Sequence, residues 1–183
     1  MTDPSTSATN GTTNGTTTIT PTTPVVRERV VNAPIDTCFR VFVDGFGTWW
    51  PPEHHIGEDR TVTHFEMEGF VGGRCFDVDT DGGVCQWGTM LEIDPPNRLV
   101  LAWHIQGDWT IDLDPARQSE IEVSFTAIDD ATTRVRVVHD RLERHGAGAD
   151  GVRTGIDSPA GWTVILGRFD DVVQGLAPRP LPS

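Results

Sequence analysis

One histidine and a set of tryptophans carry most of the chemistry open to this chain. His139 ends the run Thr133 to Asp140 in phase with Val135 and Val137, so alternation places it on the apolar face of a strand. A neutral imidazole there can donate one hydrogen bond and accept another, and its charge is tunable near pH 7. His139 is therefore a candidate for orienting a ligand and the one weak candidate for acid/base catalysis. Trp50, Trp87, Trp103, Phe125, Trp162 and Phe169 fall where they would converge on one volume, and ligand pockets are mostly apolar with a few polar groups. Thr89 and Gln86 would join His139 as those polar groups. His54 and His55 are adjacent, so their side chains diverge, and no Asp or Glu completes a metal-ligand spacing with them. No metal or cofactor is expected. There is no Gly-x-Ser-x-Gly elbow, no phosphate-cradling glycine loop and no isolated carboxylate pair on an apolar row.

The elements that must position these residues follow from turns and periodicity. Near the end of the chain, Ser158 suits a helix cap and Pro159 a first helical position. Apolar residues then recur at Trp162, Ile165, Leu166, Phe169, Val172, Val173 and Leu176. Thr163, Arg168, Asp170, Asp171 and Gln174 fall between them, which predicts one long helix over Ser158 to Leu176 with one wet face. Val25 to Asn32 reads as a first strand, and Ile35, Cys38, Phe39 and Phe42 share a helical face after Pro34. That short helix is broken at Gly45 and Gly47, before Trp49-Trp50-Pro51-Pro52. From Thr61 to Asp140 turn signals come at short intervals, too short for helical crossovers. The resulting antiparallel strands run approximately Val62 to Glu68, Arg74 to Asp79, Cys85 to Ile93, Arg98 to Ile105, Ser119 to Ile128 and Thr133 to Asp140.

Alternation puts Trp87, Thr89, Leu91 and Ile93 opposite Leu99, Leu101, Trp103 and Ile105 on one face. Glu120, Glu122, Arg134 and Arg136 take the other. A helix laid across a curved sheet of this kind leaves a space between them. The expected wall of that space is Trp50, Phe65, Phe76, Trp87, Thr89, Leu91, Leu101, Trp103, Phe125, His139, Trp162, Ile165 and Phe169.

The 183 residues suit one domain, taken as residues 25–176 between a threonine-rich disordered tail at 1–24 and a short proline-rich tail at 177–183. The formal charge is −13 and every basic residue is arginine, which argues against nucleic-acid phosphates or anionic lipids as partners. Three cysteines without metal spacing read as free thiols in a reducing compartment, and no run approaches a bilayer span. A cytoplasmic protein is the expectation.

Several fragments together resemble a known family. They are Gly72-Gly73-Arg74, Trp87-Gly88-Thr89, Asp94-Pro95-Pro96-Asn97-Arg98-Leu99-Val100-Leu101-Ala102-Trp103, Val123-Ser124-Phe125, Thr133-Arg134-Val135 through His139, Glu143-Arg144-His145-Gly146 and Gly161-Trp162. Over about Val25 to Leu176 they are similar to the Hsp90-ATPase-activator-homologue-like (AHSA1-like) branch of the SRPBCC superfamily. The resemblance implies an α+β helix-grip fold, also called Bet v 1-like or START-like. In it a curved antiparallel sheet of six to seven strands wraps a long C-terminal helix, with short helices after strand 1. It also implies a choice of functions, because the superfamily includes lipid carriers, polyketide aromatases and cyclases, and co-chaperone domains. The favoured expectation is a non-enzymatic protein holding a small hydrophobic or aromatic molecule between sheet and helix. The alternatives are a cyclase- or aromatase-like enzyme using His139 in the same cavity, and an Hsp90-type co-chaperone or stress-response module. The last is disfavoured because the first 24 residues cannot supply the extra N-terminal domain of eukaryotic activators. A homodimer through a sheet edge or an exposed helix fits each case, although no residue pattern specifies it.

Overall fold

In the computed structural model, which describes residues 22–182, seven strands form one antiparallel sheet in the order β1-β7-β6-β5-β4-β3-β2. The strands are β1 Val25–Val31, β2 Val62–Met67, β3 Arg74–Asp79, β4 Val84–Asp94, β5 Arg98–Trp103, β6 Ser119–Asp129 and β7 Thr132–Asp140. The expected strands are all present, with ends shifted by at most two residues. The expected tail at 1–24 falls almost wholly outside the described residues; of its last residues, Thr22 hydrogen-bonds Glu143.

Helix α1, Ile35–Val43, follows β1 and buries Cys38, Phe39, Phe42 and Val43, the face its periodicity marks. A single turn, α2 at Phe46–Trp49, ends where Trp50 turns extended before Pro51 and Pro52. After β7 come a 3-10 segment Leu142–Gly148, helix α3 at Ala149–Asp157 and helix α4 at Trp162–Val173.

The C-terminal helix differs from its expectation in two ways. It begins at Trp162, capped by Gly161, because Ser158 to Gly161 form the corner between α3 and α4 rather than a first turn. Leu176 lies beyond its end and is exposed. Its expected wet face is also partly covered. Arg168 is buried and donates to the Trp49 and Arg179 carbonyls at 3.0 and 2.5 Å, while Arg179 turns back to pair with Asp171. Gly167 makes room for this, since a Cβ there would sit 2.9 Å from Arg179 Nη1.

The core has a solid half and a hollow half. Phe39, Phe42, Phe125, Phe169 and Trp49 fill the first with ring pairs 4.7 to 5.6 Å apart. Such edge-on aromatic contacts add to the burial of large apolar area. The tryptophans surround the second.

Candidate functional site

Between β3, β4 and β5, the 53–56 and 106–109 loops, and the α3–α4 corner lies a cavity of about 420 Å³, within the usual range for small-ligand pockets. Four buried indoles form its inner wall. Trp50 stacks on Trp87 at 5.3 Å and 9°, Trp87 meets Trp103 at 5.8 Å, and Trp162 stands edge-on to Trp50 at 6.2 Å. Val152 and Ile156 of α3 and Ile165 of α4 complete the apolar surface. Trp109, exposed at the rim, adopts φ 64°, a left-handed conformation that a bulky residue rarely takes. Its ring lies over Gly155 of α3. The 106–109 loop reaches α3 only because Gly107 has no side chain: a Cβ there would fall 2.3 Å from the Gly148 carbonyl.

A buried acidic group interrupts this wall. Asp77, on the concave side of β3, has 1% of its side chain exposed and is ion-paired to Arg60 at 2.7 Å. Arg60 also holds Asp79 at 2.9 Å. Burial nevertheless pushes the Asp77 carboxyl above its usual range, outweighing Arg60. The ionised form is thus less stable in the folded chain than in the unfolded one. Asp77→Asn is expected to leave stability at pH 7 unchanged or raise it by about 1 kcal/mol. A loss of more than that in chemical denaturation would show that the ion pair outweighs desolvation. His55 lines the cavity on the same side with an unpartnered Nδ1.

Behind the indoles runs a buried polar chain whose proton positions can be worked out. Gln106 Nε2 donates to the His104 and Arg117 carbonyls, at 3.3 and 3.0 Å, so its Oε1 must accept from His145 Nδ1, 3.0 Å away. His145 Nε2 therefore carries no hydrogen when neutral and accepts from Ser119 Oγ at 2.8 Å. Ser119 Oγ in turn accepts from His139 Nε2 at 2.8 Å, and His139 Nδ1 accepts the Trp162 indole N–H at 3.3 Å. Ser119 and the two histidines, both neutral, each donate once and accept once between the Trp162 donor and the Gln106 acceptor. Burial lowers the pKa of His139 to about 3 and lowers that of His145.

The thirteen expected wall residues separate into three sets. Trp50, Trp87, Trp103, Trp162 and Ile165 line the cavity. Phe65, Leu101, Phe125 and Phe169 lie in the packed core, and His139 stands behind Trp162, fully buried and off the cavity surface. Phe76, Thr89 and Leu91 do not face the hollow, and neither does Gln86. Two irregularities in β4 explain this. Register shifts between Cys75 and Phe76 in its pairing with β3, which turns both Trp87 and Gly88 inward and sends Thr89 outward. A second shift between Met90 and Glu92 leaves Leu91 unpaired and 39% exposed. On the convex face Thr89 Oγ1 lies 3.2 Å from His104 Nε2 and accepts from Gln86 Nε2, while Arg74 covers the Phe76 ring at 4.5 Å.

Sequence reading missed Asp77, His55, Gln106, Trp109 and all of α3. On β3 it favoured Phe76 as the inward residue, whereas Cys75 and Asp77 hold that face. The signal was the neighbouring Arg60, which can neutralise an inward carboxylate. Among the described residues no group of three or more His, Cys, Asp or Glu is arranged to hold a metal, and Cys38, Cys75 and Cys85 are free thiols.

Residues 32–174 match the family model of the Activator of Hsp90 ATPase homolog 1-like proteins. The chain belongs to that family. No curated protein sequence matches it. Among solved structures, the AHSA1-like chain is 39% identical to the anthrahydroquino-gamma-pyrone synthase Txn09, over 83% of this chain and 97% of that one, with TM-score 0.59. It is 31% identical to CalC, a self-sacrificing resistance protein from Micromonospora echinospora, over 85% and 97% of the two chains, also at TM-score 0.59. An HSP90 activator from Plasmodium falciparum, 18% identical over 83% and 96%, shares the fold at TM-score 0.52. The helix-grip architecture expected from the sequence is the one observed, with seven strands.

Proposed function

We propose that this AHSA1-like protein encloses a planar, fused-ring aromatic molecule in the tryptophan cavity and holds it against the indole faces. The observation that carries this reading is the wall itself: four buried indoles in mutual contact around an unfilled volume of about 420 Å³. Aromatic faces offer such a ligand large contact area with little loss of side-chain freedom. Likeness to a synthase named for an anthrahydroquinone pyrone supports the same ligand class. The free thiols suit the reducing, cytoplasmic setting expected for such a protein.

The test is a titration with fused-ring aromatics, followed through intrinsic fluorescence, for which the chain has tryptophans and no tyrosine. Saturable binding is expected, weakened at least about tenfold by Trp103→Ala. Because that variant also disturbs the core, Gly155→Phe supplies an independent arm: a Cβ there meets only the Trp109 ring, at 3.5 Å, so the added ring would obstruct the rim. Absence of saturable binding across the set would overturn the reading.

A second reading, ring-closing chemistry on the bound molecule, is favoured by Asp77. It is a carboxyl in the cavity wall whose raised pKa suits proton transfer better than an ordinary surface carboxylate does. His139, sealed behind Trp162, is poorly placed for that role. If turnover of a candidate polyketide is found, Asp77→Asn should abolish it while binding persists; turnover unchanged in that variant would exclude Asp77. The co-chaperone reading rests on the family description and a fold likeness alone.

A further inference from the structure

Five tryptophans are buried, and their indole N–H groups divide into two kinds. Trp49 donates to the Val41 carbonyl at 3.0 Å, Trp50 to the His54 carbonyl at 3.3 Å, and Trp162 to His139 Nδ1 at 3.3 Å. Trp87 and Trp103 are as deeply buried, at 4% and 7% exposed, yet their Nε1 hydrogens have no acceptor among the described residues. Both of these rings line the cavity and are neighbours at 5.8 Å. Buried indole N–H groups ordinarily find a partner, so a pair left without one beside a cavity calls for an explanation. The chain plainly can satisfy indoles in this region, because the two other buried indoles on the same wall are satisfied.

We infer that Trp87 and Trp103 are kept unpaired to meet hydrogen-bond acceptors on the ligand, so that the cavity selects oxygenated aromatics, quinones and hydroxyaryl ketones, over hydrocarbons of the same shape. This rests on the ring-binding reading given above and goes beyond it: stacking on indole faces recognises any planar ring system, whereas two unpaired donors favour one that carries acceptor oxygens. Both nitrogens are already shut off from water in the unliganded chain, so the selectivity is a gain on the right ligand: a quinone oxygen that settles against them restores the bonds they lost on folding, and a hydrocarbon returns nothing.

The experiment compares 2-(hydroxymethyl)anthraquinone with 2-(hydroxymethyl)anthracene, matched in ring number and side group, by titration calorimetry on the full chain. The quinone is expected to bind at least about tenfold more tightly. The indole N–H resonances of Trp87 and Trp103, assigned in nitrogen-15-labelled protein, should shift downfield with the quinone and not with the hydrocarbon. Trp103→Phe and Trp87→Phe keep an aromatic ring and remove the donor. Each should reduce the ratio of quinone to hydrocarbon affinity severalfold, since the smaller ring costs both ligands contact area but only the quinone a hydrogen bond, and thermal unfolding of each variant is the control for folding. Equal affinities for the two ligands would overturn the donor assignment and leave ring binding standing. A preference that persists with neither indole resonance shifted would also overturn it. If neither molecule binds, the ring-binding reading falls and takes this inference with it. The resonance readout needs no substitution, so a variant that fails to fold does not remove the test.

Discussion

Ser119→Ala is expected to lower the unfolding free energy by about 3 kcal/mol, a large effect for removal of a single oxygen atom. Ser119 is wholly buried and bridges His139 and His145. Without its hydroxyl, His139 Nε2–H loses its acceptor and His145 Nε2 its donor. Each buried polar group left unsatisfied costs about 1 to 3 kcal/mol. The volume lost is too small to account for that figure, so Ser119→Cys, which restores bulk with a poor hydrogen-bonding group, should recover only a fraction of the loss. Chemical denaturation at pH 7.5 measures both. A loss below about 1 kcal/mol would mean that the two imidazoles find other partners and that the chain is not the unit described. The effect should also reach the ligand site, because the two ends of the chain, Trp162 and Gln106, are both part of the cavity wall.

The sequence made the sheet legible because its turns are chemically explicit and because β6 and β7 alternate cleanly along most of their length. Ile121, Val123 and Phe125 do face the same side as Val135, Val137 and His139. The site was legible only where it rests on that alternation. β4 carries two bulges, and each bulge exchanges the faces of the residues beyond it; this is why Thr89 and Leu91 fell on the wrong side of the expectation while Trp87 fell on the right one. Helix α3 was invisible for a different reason. Its stretch, Ala149–Asp157, offers only Val152 and Ile156 as large apolar residues and contains two glycines, so its helicity depends on packing rather than on propensity. The buried chain could not be foreseen either, since Ser119, His139, His145 and Gln106 come from distant parts of the sequence. Only His139 had a face assigned by period, and its burial turned out to serve Trp162 rather than a ligand directly.

Acid should unfold this protein from a higher pH than its carboxylates alone would dictate. His139 is held neutral down to about pH 3, first by burial and then by the neighbouring His145 and Arg153. Burial also lowers His145, with Arg117 acting in the same direction and Asp112 against it, and it lowers His54 and His104. In the unfolded chain these imidazoles titrate near about 6.5. Between that value and the folded one the unfolded state binds more protons, so stability rises with pH and is lost as pH falls. For His139 alone, going from neutral pH to pH 5 should cost about 2 kcal/mol. The carboxylates held low by partners, such as Asp79 and Asp171, act in a lower window, with their stabilisation lost as pH falls through the carboxylate range. Asp77, raised by burial, acts in the opposite sense and becomes less of a burden as it protonates. The two windows can therefore be separated. His139→Gln offers an amide oxygen to the Trp162 N–H and an amide N–H to Ser119, keeping the direction of the chain without a titrating group. Its stability at pH 7.5 should be within about 2 kcal/mol of the parent, and its loss between pH 7.5 and 5 should be smaller by about 2 kcal/mol. Denaturation midpoints measured every half pH unit decide the matter. If the two curves run parallel through that interval, protonation of His139 is not what destabilises the fold, and the neutral chain assigned behind the indole wall is wrong.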